Sequence, residues 1–255
     1  MDQIIVIESS KLDLPPERLP SDSIQLLFLM IVIAVGVPSN LIILRRLLIL
    51  HKTTRKGSSK AAFVVLKIHL TLTDLMLLLF YAAPQLLWNI TYEWMLGDFL
   101  CKAYNYVSMA SFYLSSNITV CIALDRFRTV FAALRIRKGT RTRRSVLHLI
   151  LPAWILAFVL ASPQLVVFKT ADVLANDTWM QCSDVWNINS IQRDQTGLPG
   201  WFLTPFARLT YEMAHLLLVF WVPLILLLCS YGTIAFRLSK VSSTDPQSSF
   251  SSMHG

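Results

Sequence analysis

Five stretches of this 255-residue chain are long and apolar enough to cross a lipid bilayer, and they dictate what it can fold into. A hydrocarbon core of about 30 Å takes roughly 20 apolar residues per helix, and lipid offers no partner to an open backbone, so each stretch must be a helix. They lie near Ile24–Leu44, Ala61–Trp88, Ala103–Leu124, Val146–Phe168 and Ala207–Leu238. The second carries Lys67, His69 and Asp74 and the last carries Arg208, Glu212 and His215, so both helices are expected to project beyond the core at one end. Apolar types make up 55% of the chain and charged types 15%, against about 45–50% and 25% in average soluble domains. That balance argues against a soluble fold.

The net charge of +8 suits a nucleic-acid surface only if the bases share one soluble face, and they do not. Arg45, Arg46, Lys52, Arg55, Lys56 and Lys60 fall between the first two stretches, and Arg126, Arg128, Arg135, Arg137, Lys138, Arg141, Arg143 and Arg144 follow the third. The other two connections are poor in bases and hold Glu93, Asp98, Asp172, Asp177, Asp184 and Asp194. The positive-inside bias therefore sets residues 1–23 outside the cell and, after five crossings, the carboxyl terminus in the cytosol. Met1–Asp22 has no basic start, so the first span is expected to serve as its own signal without cleavage. The basic connections suit anionic membrane lipid and a protein partner equally.

Cys101 opens the third span and Cys182 lies in the long outer connection, both facing an oxidising compartment, so a bridge between them is expected. Cys121 and Cys229 fall inside spans and read as small apolar packing residues. Neither the cysteines nor the five histidines show metal-ligand spacing. No nucleophile–base pair, paired carboxylates, phosphate-cradling glycine loop or inverted repeat points to an enzyme or transporter, so no catalytic residue, metal or cofactor is expected.

Polar groups within the spans should face the bundle. Asn40 and Asp74 read either as a clamp between helices or as an ion or water site that rearranges on switching. Pro38, Pro84, Pro163 and Pro223 each remove a backbone donor in or near a span. Asp125-Arg126-Phe127 closes the third span. An isolated charge at the bilayer centre costs about 2.5–3.5 kcal/mol on insertion scales, so this acid and base belong at a membrane boundary or against a partner.

Asn40, Leu70-Thr-Leu-Thr-Asp74, Trp94-Met-Leu-Gly97 ahead of Cys101, Asp125-Arg126-Phe127, Trp154 with Pro163, Cys182, and Pro223 with Tyr231 resemble, in order and spacing, the landmarks of rhodopsin-like G-protein-coupled receptors. The resemblance covers residues 24–240. Within that family, Trp88-Asn-Ile-Thr91, Cys101-Lys102, Ser162-Pro-Gln164 and Phe168 are similar to gonadotropin-releasing-hormone and adipokinetic-hormone receptors, and the Pro-Gln element also to vasopressin and oxytocin receptors.

The resemblance implies an all-α membrane bundle, with five spans present of a seven-helix receptor fold in the plasma membrane. It implies a peptide hormone bound between the helices from outside and a heterotrimeric G protein engaged inside, often one that raises calcium. Residue by residue, it implies that Arg126 pairs with Asp125 at rest and reaches the G protein when released. Tyr231 would help hold the active arrangement, Asp74 would be the acid of an allosteric sodium site, and Trp88, Asn89 and Gln164 would lie at the peptide pocket. Asn89 also opens the sequon Asn89-Ile-Thr91, so a glycan competes there with peptide contact, which is preferred. The sequon at Asn176 lies in the outer connection and is expected to be glycosylated, whereas that at Asn117 sits in a span and is not. Phe127 replaces the commoner tyrosine, and Ser108 and Gln85 stand where vertebrate hormone receptors carry charged ligand contacts.

The family's sixth and seventh spans have no counterpart in this sequence. Residues 241–255 are polar and serine-rich and are expected to form a disordered cytosolic tail. Two readings stay open: a peptide-hormone receptor, and a truncated, non-signalling isoform that associates with a full-length receptor and modulates its surface level.

Overall fold

The computed structural model describes residues 18–55, 58–134, 143–173, 179–191 and 198–244. Among them all five expected spans are helical, and most run past the apolar stretches that define them. Helix α1, Pro20–Thr53, starts on a proline whose missing N–H would have had no helical partner, and Asp22 accepts the Leu19 amide at 3.0 Å. Helix α2, Ser59–Leu77, is capped by the Ser58 hydroxyl, which accepts the Ala61 amide at 3.1 Å. It passes through a π-helical turn, Leu78–Ala82, into α3, Ala83–Thr91. Gly97, at φ 72°, takes a conformation that side-chain-bearing residues rarely adopt and swings the chain into α4, Gly97–Leu134.

Helix α5, Arg143–Ala161, and the single turn α6, Gln164–Val167, complete the fourth span. The chain then departs from an all-helical course. Strand β1, Phe168–Asp172, pairs antiparallel with β2, Met180–Asp184, with Thr170 opposite Cys182, and a short helix α7, Val185–Ile191, follows. Helix α8, Pro205–Leu216, capped by Thr204 on the Ala207 amide at 3.2 Å, leads through a second π-helical turn, Leu217–Trp221, into α9, Val222–Thr244. Helix α9 thus continues past Lys240, and residues 245–255 of the expected tail lie outside the described residues.

Helix α4 is the axis of the bundle. Its Ala110, Tyr113, Leu114, Ile118 and Cys121 are buried among Ala62, Val65 and Leu66 of α2 and Val146, Ile150, Ala153 and Ala157 of α5. Asn117 is satisfied inside this core, its Nδ2 donating to the Ala153 carbonyl at 3.0 Å. Helix α1 is attached along one flank by Leu29, Leu78 and Ala82, and Gly36 lets it approach so closely that a Cβ there would stand 3.0 Å from Leu78 Cδ1. Elsewhere α1 and α9 turn large apolar side chains outward, the surface a bilayer covers.

Pro84 cannot donate to the Phe80 carbonyl four residues back, and Pro223 cannot donate to that of Val219. Each carbonyl receives a serine of α4 instead: Ser108 Oγ donates to Phe80 at 2.9 Å, and Ser116 Oγ donates to Val219. One helix therefore repairs the backbone of two neighbours, where lipid offers no substitute partner.

The sequence places His215 beyond the core with Arg208 and Glu212. The structure packs it into the bundle between Tyr113 and Tyr211, where Tyr113 OH lies 2.5 Å from His215 Nδ1. A polar ring is tolerated there because it has a partner. Arg208 and Glu212, one turn apart, pair at 2.8 Å with both side chains part-exposed.

Candidate functional site

The two ends of the bundle carry different chemistry. At the hairpin end, the Cys101–Cys182 disulfide ties α4 to β2 across 81 residues of sequence, as expected. Trp88, Trp94, Tyr104 and Phe168 pack around it. The hairpin is further held by Tyr92, whose carbonyl accepts Gln181 Nε2 at 2.9 Å and Trp179 Nε1 at 3.0 Å. Tyr92 ends α3 in the left-handed conformation, φ 60°, which turns that carbonyl out of the helix. Arg18 reaches the same corner, donating through Nη2 to the Ile90 carbonyl at 2.6 Å and lying 5.4 Å from the centre of the Tyr92 ring.

Beneath the hairpin are two cavities of about 450 and 360 Å³ that share Gln85 and Trp88 in their walls. Each is within the range of roughly 300–1,000 Å³ typical of ligand sites. The upper one is lined by Asn89, Tyr92, Asp172, Trp179 and Gln181, and the deeper one by Tyr104, Ser108, Phe112, Gln164, Tyr211 and His215. A directional run of hydrogen bonds crosses between them. Tyr104 OH donates to Gln85 Oε1 at 2.8 Å, and Gln85 Nε2 donates to Asn89 Oδ1 at 3.2 Å. Asn89 Nδ2 ends the run, buried and with no partner among the described residues. Trp88 Nε1 donates to Gln181 Oε1 at 3.2 Å, and buried Gln164 places its Nε2 3.4 Å from His215 Nε2.

Trp88 thus stands between the two cavities, with Asn89 on the upper one and Gln164 on the deeper one, together with residues the sequence reading did not nominate. His215 and Tyr113 carried a signal, being polar rings inside apolar runs. Trp179 and Gln181 carried none, since strand pairing alone brings them over the cavity. The nitrogen that a glycan on Asn89 would occupy is enclosed in this structure. Asn176 lies outside the described residues.

At the opposite end Asp125 is buried, 1% exposed, and Arg126 turns away from it. The ion pairs among the described residues do not include one between these two. The Arg126 guanidinium lies instead over Phe63 of α2, with Cζ 3.3 Å from the ring centroid. Tyr231 is 47% exposed on α9. Asn40 donates to the Gly36 carbonyl of its own helix at 2.9 Å, and half-buried Asp74 makes no hydrogen bond to it, so these two residues form no direct clamp.

Comparison with known proteins adds to this geometry. The chain matches the 7 transmembrane receptor (rhodopsin family) over residues 40–254. It belongs to that family. Among its relatives are the G-protein coupled receptor daf-38 of Caenorhabditis elegans, 33% identical over 86% of this chain and 50% of that protein, and the gonadotropin-releasing hormone receptor of Rattus norvegicus, 31% identical over 76% and 55%. The vasopressin V1b receptor of Mus musculus is 31% identical over 88% of this chain and 47% of its own length. The chain spans about half the length of these relatives. The five helices long and apolar enough to cross a membrane agree with that family.

Proposed function

We propose that this chain forms the ligand-binding and coupling framework of a receptor for a peptide hormone of the gonadotropin-releasing or adipokinetic type. The two neighbouring cavities under the hairpin carry the reading. Their aromatic walls suit peptide side chains, and the Asn89 amide, lacking a protein acceptor among the described residues, suits a peptide carbonyl once the run of bonds opens. Trp88 and Gln164 flank the deeper one, and relatives that are themselves named for peptide hormones support the ligand class. The basic connections orient the cavity outward and the Asp125–Arg126 end toward a heterotrimeric G protein in the cytosol. Asp125, Arg126 and Tyr231 are the proposed coupling residues, and Asp74 with Asn40 the proposed intramembrane polar site.

The test is saturation binding of labelled peptides of the gonadotropin-releasing-hormone and vasopressin classes to membranes carrying the chain. Saturable binding is expected, weakened about tenfold, or about 1.4 kcal/mol, by either Gln85→Ala or Asn89→Ala. Binding indifferent to both substitutions places the peptide elsewhere, and no binding of either class to surface-expressed protein refutes the hormone reading.

A second reading is that the outward faces of α1 and α9, which carry Leu41, Leu48, Ile225 and Leu228, meet further membrane helices as well as lipid. Such faces suit further membrane helices, supplied by a longer form of this chain or by a second receptor molecule. In the latter case, co-expression with a full-length counterpart lowers that receptor's surface level; unchanged levels argue against it.

A further inference from the structure

Arg126 is held by a ring. Its Cζ stands 3.3 Å from the centroid of Phe63, within the contact range of a guanidinium on an aromatic face. Lys67, one turn further along α2, sets its ammonium 4.5 Å from the same centroid. Neither the guanidinium nor the ammonium has a hydrogen bond or ion pair among the described residues, so Phe63 is the recorded partner of both. The ring itself is fixed by α2, where Ala62 and Val64 on either side are buried. Two like charges therefore compete for one quadrupole, and each weakens the hold on the other.

We propose that Phe63 is a positioning residue for Arg126. The ring keeps the guanidinium against α2 in the resting arrangement, and Lys67 keeps that hold weak enough to be exchanged for the carbonyls and carboxylates of a partner. The proposal rests on the reading of Arg126 as the G-protein contact and adds what restrains it and what loosens it. An ion pair with Asp125 would fix the arginine by charge. A ring fixes it by contact and lets it leave without stranding a buried counter-charge.

The experiment is site-resolved modification of the purified chain in lipid nanodiscs by phenylglyoxal, an arginine-selective dicarbonyl, read by mass spectrometry. Exposed Arg128 serves as the internal reference. Relative to Arg128, Phe63→Leu should raise the Arg126 rate about threefold or more, as loss of a cation–aromatic contact requires, and Phe63→Tyr should leave it near the wild-type value. Lys67→Gln should lower it, because Arg126 then has the ring to itself. Loss of a neighbouring positive charge by itself also slows dicarbonyl attack, so the deciding comparison is Lys67→Gln in the Phe63→Leu background, where its effect on Arg126 should largely vanish; an equal effect in both backgrounds overturns the proposal. An unchanged Arg126 rate in Phe63→Leu or in Lys67→Gln overturns the proposal, and so does a Phe63→Tyr rate as high as that of Phe63→Leu. If Phe63→Leu does not fold, seen as exposure of the buried Cys121 thiol, Phe63→Met takes its place in both comparisons. Failure of the coupling reading is distinguishable: the G protein would not bind while the modification rates behaved as stated.

Discussion

Ser108→Ala removes the hydroxyl on which the Phe80 carbonyl depends. Ser108 is itself buried, 6% exposed, and a buried acceptor left without a partner costs about 1–3 kcal/mol, toward the lower end where water in the adjoining cavity reaches the carbonyl. For a chain of this size each 1 kcal/mol moves an unfolding midpoint by about 2–4 °C, so the variant should melt roughly 2–12 °C lower. The cause is traceable to Pro84. Pro84→Ala restores an N–H four residues beyond Phe80, and in that background Ser108→Ala should lose most of its effect, leaving a coupling of about 1–2 kcal/mol between the two positions. The assay is thermal unfolding of the purified chain in nanodiscs, followed by maleimide-dye labelling of buried Cys121 after exposed Cys229 has been blocked. Equal losses in the two backgrounds would refute the argument, because the serine would then be stabilising something other than a proline-orphaned carbonyl. Ser116→Ala with Pro223→Ala is the parallel cycle on the other side of α4.

Three further outcomes are expected. Cys182→Ser should expose a reactive thiol at Cys101 and cost on the order of 4 kcal/mol for a loop of 81 residues; a Cys101 that stays unreactive in surface-expressed protein contradicts the bridge. Glycosidase digestion should shift the wild type and not Asn176→Gln, while Asn117→Gln changes nothing, because Asn117 Nδ2 is engaged by Ala153; a shift that depended on Asn117 would remove α4 from the membrane. Tyr113→Phe should cost about 1–2 kcal/mol by stripping His215 Nδ1 of its partner, and adding His215→Phe should recover part of the loss; strictly additive losses would show that the two rings do not cooperate.

The five spans were legible because lipid makes length and apolar content nearly sufficient, and the disulfide because Cys101 and Cys182 fall on the same side of the membrane in the topology read from the basic connections. The hairpin was not legible: Phe168–Asp172 follows an apolar span without a turn signal, and its partner strand supplies half of its pattern. Nor did anything local mark Ser108 and Ser116. Their meaning depends on which carbonyls the prolines of neighbouring helices release and on how deep those helices sit against α4. Trp88, Asn89 and Gln164 were found through family likeness, and the structure sets Asn89 in the wall of one cavity, Gln164 in the wall of the next, and Trp88 between the two. The same likeness led to an Asp125–Arg126 ion pair that is not among those of the described residues, and Phe63, an apolar residue in an apolar helix, gave no warning that it would take the arginine.

Tyr92 bears on timing. Trp179 and Gln181 lie two residues apart, on the same side of one extended segment, and hang from a single carbonyl. Lifting that segment would break both bonds in the same motion, and the Trp88–Gln181 bond with them, while the Cys101–Cys182 bridge keeps the strand tethered to α4, so opening the roof meets one shared barrier. A ligand that enters under the roof meets this barrier on arrival and again on departure. Loosening Tyr92 should therefore accelerate capture and escape together, leaving equilibrium affinity largely unchanged while shortening the time each ligand stays bound.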